Sequence, residues 1–338
     1  MSPPRNPALP AFATPRRALF GGLAALPFLP RAARAAGWSP SKPVTLLVPF
    51  AVGGTTDVMA RLIAQPMAKH FGQPVVVENV TGAGGNIGAG RAARAAPDGH
   101  TVFLAHVGVF SINQHLYRNI PFETARDFVP VGLVATNPML LVVSTASGID
   151  SLDKLKARAR QGDLRIATSG TGTTLHIAAL QFLSAVGGRA DLIPYRGGGP
   201  ATNDLMAGNV DMLVDQALTS IPTAQSGKAK ALCVTGPARL AALPDVPTTA
   251  ELGLAGFDIE IWNGLVLPAR TPPAIVAAHE AALAAALDDA NVRARFAESA
   301  ARAPEGEERS ARHLGQLIAR DAERWGRLLR EAGVEREG

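Results

Sequence analysis

Cysteine is nearly absent. Cys233 stands alone, so no intramolecular disulfide is available, and a chain of 338 residues, 47% of them hydrophobic, has core enough not to need one. In Ala231-Leu232-Cys233-Val234 the thiol reads as a small buried strand residue. A membrane-length apolar run is missing too. The mostly apolar stretch Ala18 to Leu29 is about 12 residues long and contains Pro27, well short of the ~20 needed to cross a bilayer. Charge of one sign disappears once the amino terminus is set aside. Residues 1–35 carry five arginines, Arg5, Arg16, Arg17, Arg31 and Arg34, and no acid, so the 33 basic residues fall by five to 28, against 28 acidic ones. The overall +5 therefore comes from that segment, and a nucleic-acid partner loses its main support.

Catalytic and cofactor motifs are missing as well. Gly227-Lys228 is followed by Ala229, so there is no phosphate loop of the G-x-x-x-x-G-K-[ST] type, and Ser169 lacks the leading glycine of a nucleophile elbow. The seven histidines show no metal-ligand spacing. Gly88-Ala89-Gly90-Arg91-Ala92-Ala93 matches G-x-G-x-x-A after a strand. No acidic residue lies between His100 and Glu123 to hold a ribose, and Pro97 cuts the helix short, so a dinucleotide is rejected. No cofactor or metal is expected.

Residues 1–35 have the arginines, the apolar centre and the Ala33-Arg34-Ala35 ending of a secretory signal peptide. Arg16-Arg17 within Thr14 to Phe20 adds the pair of a twin-arginine signal. The expected location is the periplasm.

The chain after the signal is organised around Val44 to Asp57, VTLLVPFAVGGTTD. A short β-rich run leads through Gly53 and Gly54 to Thr55, Thr56 and Asp57, any of which can cap a following helix. The design recurs at Thr168 to His176 and at Pro194 to Asp204. Each loop aims free N–H groups and the positive end of a helix dipole outward, and three such starts facing one cleft make a site for a small anion. Between them run further strand-and-helix alternations: strands at 73–79, 101–105, 164–167, 192–195, 210–214 and 229–234, and helices at 58–71, 152–160, 174–186 and 201–207. Pro66 is expected to kink the first helix or end it early. Two segments, 127–144 and 257–267, read as crossings, the first as two strand pieces separated at Asn137-Pro138. The pattern predicts α/β lobes, each a mostly parallel sheet flanked by helices, with lobe 1 at 36–136 plus 258–338 and lobe 2 at 137–257. Helices over 273–287, 291–300 and 310–332 close the chain. Two crossings permit a hinge.

Several side chains keep two readings. His176 either touches a ligand or orients its loop. Asp57 caps its own helix or also fixes the ligand loop or a bound water. Arg196 pairs with a ligand carboxylate or makes a solvated or interlobe ion pair. Asp215, after strand 210–214, accepts a hydrogen bond from a ligand or locks a neighbouring loop. Trp262 packs the core or hinge, or walls the cleft.

Over nearly all of residues 42–333 the chain resembles the Bug family of extracytoplasmic solute-binding proteins of tripartite tricarboxylate transporters. The resemblance rests on PFAVGGTTD (49–57), VVVENVTGAGGNIGA (75–89), APDGHT (96–101), DFVPVGLV (127–134), SGTGTTLH (169–176), PYRGGGPA (194–201), LPDVPTTAELG (243–253) and WNGLVLPARTP (262–272). It implies a two-lobed periplasmic-binding-protein fold of the type II, Venus-flytrap kind. Such a protein performs no chemistry, binds a small organic acid between its lobes and delivers it to membrane transporter subunits or a sensor, as a monomer. Carried onto this chain, the family's ligand contacts fall on Phe50, Gly53, Gly54 and Thr55, with help from Gly84 and Asn86. In lobe 2 they fall on Ser169, Gly172, Thr173, Gly198, Ala201 and Asp215. The chain departs from the family at Val52, before the glycine pair, at His100, where a tyrosine is usual, and at Pro66. A secreted hydrolase or isomerase using Asp57, His176 or Asp215 is the alternative.

Overall fold

The computed structural model describes residues 1–2, 37–254, 256–257, 259–331 and 336; apart from its first two residues, the expected signal peptide lies outside them. From residue 37 onward the order is β1 (Val44–Val48), α1 (Thr55–Phe71), β2 (Val75–Asn79), α2 (Asn86–Ala93), β3 (Thr101–His106), the short α3 (Asn113–Leu116) and α4 (Thr124–Asp127), and β4 (Phe128–Ser144). There follow α5 (Leu152–Gln161), β5 (Arg165–Thr168), α6 (Thr174–Val186), β6 (Asp191–Pro194), α7 (Gly198–Ala207), β7 (Met212–Gln216), α8 (Ala217–Gln225) and β8 (Ala229–Val234). The chain returns through β9 (Glu260–Pro268), α9 (Pro273–Asp288), α10 (Ala290–Glu298) and α11 (Ala311–Glu331).

The strands run in the order β2-β1-β3-β9-β4-β7-β5-β6, with β8 paired to β4. Two parallel βα series supply the halves: β1 runs parallel to β2 and β3, and β5 runs parallel to β6 and β7. Between them the crossing strands β9 and β4 run antiparallel to each other and to their outer neighbours. The expected α/β architecture is present, with its parallel pairs confined to the βα series, where helical crossovers allow them.

The first crossing corrects the expectation of two pieces. β4 is continuous for 17 residues. Residues up to Pro138 pair with β9 and those from Met139 pair with β7, so the missing N–H falls at the handover, where it disrupts the ladder least. Met139 makes up the junction by donating its N–H to the Thr235 hydroxyl, 2.9 Å, and accepting the Thr235 N–H.

Pro66 likewise does not end α1, which runs to Phe71. Proline forfeits one helical hydrogen bond. On the inner face Met59, Ile63 and Met67 are fully buried, sharing a core with Ala282, Leu283 and Ala286 of α9, and that burial on both sides of Pro66 outweighs the lost bond. Cys233 is buried in β8, as expected.

Trp262 is a packing residue, 2% exposed, whose indole N–H donates to the Asp321 carboxylate at 2.8 Å and ties α11 to β9. Trp262→Phe keeps an aromatic ring in the core but is smaller than the indole and leaves Asp321 buried without its donor. The expected loss is about 1–3 kcal/mol of unfolding free energy, read from urea denaturation; an unchanged midpoint would dismiss the bond as a contributor.

Candidate functional site

A helix begins with N–H groups that have no partner inside the helix. Where such a start lies at the surface, a side chain usually caps it. Here Ser151 caps α5 through Lys154 N–H, and Asp289 caps α10 through the N–H groups of Asn291 and Val292. Other starts, those of α2, α3, α4 and α9 among them, have no side-chain cap, and four of the uncapped starts share one place in the fold: α1, α6, α7 and α8, which begin at Gly54, Thr173, Gly197 and Gln216.

All four starts meet one cavity, of about 20 Å³, lined by Phe50, Gly54, Thr55, Thr56, His106, Ser169, Thr174, Leu175, Gly198, Asp215 and Gln216. No lysine or arginine is among these residues, so positive potential comes from backbone dipoles and N–H groups.

Of the residues predicted from sequence, Phe50, Gly54, Thr55, Ser169, Gly198 and Asp215 are brought together on this wall. Gly53, Gly84, Asn86, Gly172, Thr173 and Ala201 are not among the lining residues, and most have structural partners instead. Gly53 N–H donates to Asp57 at 3.0 Å and Gly172 N–H to His176 Nδ1 at 3.0 Å. Thr173 Oγ1 accepts from Ser169 Oγ, 2.8 Å, and donates to the Gly170 carbonyl, 2.6 Å. Asn86 Oδ1 and the Gly84 carbonyl both accept from Asn113 Nδ2, and Ala201 is fully buried. Thr56, His106, Thr174, Leu175 and Gln216 were missed. Thr56 and Thr174 stand next to predicted positions. His106 lies one residue beyond the expected end of its strand, and Gln216 begins α8, a helix not anticipated because Pro222 interrupts its sequence.

The loops are braced from behind. Asp57 is not the helix cap expected of it: it occupies the third helical position and reaches back to Gly53, while also accepting from Arg61 and Asn79. Burial acts to raise its carboxyl, and the hydrogen bonds from Arg61, Gly53 and Asn79 outweigh that and hold it below the usual value. Asn79 also donates to the Phe50 carbonyl at 2.8 Å. His176 orients its loop through Gly172, the second of its two readings, and burial lowers its basicity. Arg196 is exposed and makes no ion pair among the described residues. Asp57, His176 and Asp215 are each engaged separately, with no hydrogen bond between any two of them among the described residues.

Glycine at the third loop is required by contact. A Cβ on Gly199 would lie 2.2 Å from the Val52 carbonyl oxygen, and one on Gly197 would lie 2.7 Å from Ala51 N. The two sheet halves are joined here by Ala51 N–H to the Arg196 carbonyl, 3.3 Å, by Thr55 Oγ1 to Thr219 Oγ1, 2.7 Å, and by Tyr117 OH to the Thr171 carbonyl, 2.6 Å.

Two buried titratable groups face the cavity. Burial pushes His106 down to about 3, so the ring is neutral near pH 7; because Nδ1 accepts the Gly108 N–H at 3.1 Å, the ring proton sits on Nε2 as a donor. Burial pushes Asp215 up to about 6, against hydrogen bonds from Gln216 N–H and Thr219 Oγ1.

Residues 59–334 match the model of the tripartite tricarboxylate transporter family receptor. The chain belongs to that family. Protein BugT of Bordetella pertussis is 34% identical to this receptor over 299 residues, 88% of this chain and 91% of that one. Among solved structures, the periplasmic binding protein BugD is 36% identical with a TM-score of 0.84, covering 88% of this receptor and 100% of that chain. MatC of Rhodopseudomonas palustris, with bound malate, is 37% identical with a TM-score of 0.82, covering 86% and 99%. The receptor thus shares the two-lobed fold of periplasmic binding proteins.

Asp215 supplies a pH test. Its folded value lies above the ordinary 3.8, so the folded receptor holds this proton more tightly than the unfolded chain. That stabilisation is complete below about pH 4 and is lost as pH rises through about 6. Asp215→Asn removes it. The difference in unfolding free energy, wild type minus variant, is expected to fall by about 2 kcal/mol between pH 4 and pH 7; parallel pH profiles would refute the shift.

Proposed function

We propose that this receptor captures a small carboxylate between its two sheet halves, where the cavity of about 20 Å³ holds about one water as it stands and widens to admit the ligand, and hands it, in the periplasm, to the membrane subunits of a tripartite tricarboxylate transporter. The observation that carries the reading is the meeting of four uncapped helix starts at a cavity whose lining has no cationic side chain. Such a wall favours an anion. Each hydrogen bond to a charged group is worth about 1.5–3 kcal/mol, so three or four from preset loops reach the scale of the ~8 kcal/mol that micromolar binding requires. Malate in MatC is consistent with a ligand of this class.

Of the sequence-predicted contacts, Phe50, Gly54, Thr55, Ser169, Gly198 and Asp215 are proposed to face the ligand, while Gly53, Gly84, Asn86, Gly172, Thr173 and Ala201 hold the loops that present it. The lobes are assigned as 36–136 plus 258–338 and 137–257; the change of partner along β4 at Pro138 supports the boundary. The receptor is read as a monomer that binds without turnover, exported by a signal peptide whose Arg16-Arg17 pair is of the twin-arginine kind. No nucleic-acid partner is invoked.

Titration calorimetry of the mature protein with di- and tricarboxylates, amino acids and aromatic acids is expected to find a 1:1 ligand, recovered unchanged by mass spectrometry. Silence across the panel would sink the binding reading, and conversion of the ligand would favour an enzyme. Gly199→Ala, whose new methyl pushes against Val52, should weaken that ligand about tenfold or more while the circular dichroism spectrum stays native; unaltered affinity would show that close approach of the first and third loops is not needed.

A further inference from the structure

Beneath the helix starts the sheet itself carries a second set of polar groups. In the strand register His106 lies opposite Asn263, Asn263 opposite Ala135, and Gln216 opposite Met139. Residues two apart on a strand share a face, so Asn137, between Ala135 and Met139, lies on the same side as His106, Asn263 and Gln216. His106 and Gln216 line the cavity, which makes this the cavity side of the sheet. Asn263 Nδ2 donates to Gln216 Oε1 at 3.3 Å, reaching across β4 where Asn137 sits.

Asn137 and Asn263 are fully buried. Both polar atoms of the Asn137 amide, and Oδ1 of Asn263, have no hydrogen-bond partner among the described residues. Burying a polar atom without a partner forfeits its hydration and is costly, and such atoms in folded proteins call for an explanation. An apolar residue at Asn137 would pack into β4 without that cost, so a buried amide at the junction of two lobes is fitted to something other than stability.

We infer that Asn137, Asn263 and Gln216 form a second subsite of the cleft, which takes the end of the ligand that the helix starts do not hold. The inference rests on the carboxylate reading given above. The chemistry of the subsite selects the ligand group. Amides offer donors and acceptors together, matched by a group that also does both, such as a hydroxyl or a carboxamide. A second ionised carboxylate only accepts, and on this face it meets a neutral His106 and no cation. The preferred ligand class is therefore an organic acid bearing a hydroxyl or carboxamide, taken in preference to the acid of equal length without that group.

The test compares paired monocarboxylic acids by titration calorimetry on the mature wild-type protein: 3-hydroxybutyrate against butyrate, and 4-hydroxypentanoate against pentanoate. The hydroxylated member is expected to bind about ten times more tightly, because leaving the amides unpaired in the other complex costs roughly one such bond. Asn137→Leu should bring the ratio in each pair close to one and raise the thermal midpoint of the ligand-free protein, since it removes unpaired polar atoms from the core; Asn263→Leu serves as a second variant should the first fail to fold. Equal affinities within the pairs for wild type, or a ratio unaltered in both variants, would overturn the subsite while leaving the carboxylate reading in place. If no acid of any class binds, the carboxylate reading fails and the subsite falls with it.

Discussion

The structure depends on one constraint: four helices begin at the same small space and none is capped. An uncapped helix start is tolerable where its N–H groups reach water or a ligand, and unfavourable where they are buried without either. Bringing four together concentrates positive potential without a cationic side chain, and an anion resolves all four at once. Rigid dipoles also cost less to order on binding than long flexible cations, which lose side-chain entropy when they are held in place.

The crossing strands create that meeting point. β4 belongs to both halves of the sheet, pairing with β9 up to Pro138 and with β7 and β8 beyond it. β1 on one side and β5, β6 and β7 on the other, at whose ends the four helix starts lie, are therefore aimed at one another from opposite sides. Two crossing segments are a topology that permits a hinge, and the Asp57, Asn79 and Arg61 network and the Gly172–His176 bond hold the first and second loops in shape. Glycines at 197 and 199 then let backbone meet backbone across the cleft.

Much of this was legible in the order of residues. The strand, glycine loop and helix triplets are local patterns, and their boundaries were read within a few residues. Six of the twelve residues predicted for the site line the observed cavity. Misreadings arose where a local rule met a tertiary circumstance. Pro66 and Pro138 looked like breaks, yet buried neighbours in one case and a change of strand partner in the other absorb the missing N–H. Pro222 hid α8, and with it Gln216. Of the two readings of Asp57, the helix cap fails, because it stands at the third helical position, and the fixing of the loop holds, because its carboxylate turns back to brace Gly53.

By itself the sequence determined the α/β alternation and the glycine-rich helix starts. These are matters of composition and short-range pattern, which act over a few residues. Tertiary structure alone decided which of the loops' N–H groups are already taken, that a fourth helix joins the other three, and that His106, Asn137, Asn263 and Gln216 share one face. Those properties come from the register of strands distant in sequence, because hydrogen bonds and burial are set by which segments lie side by side, and no local pattern encodes that.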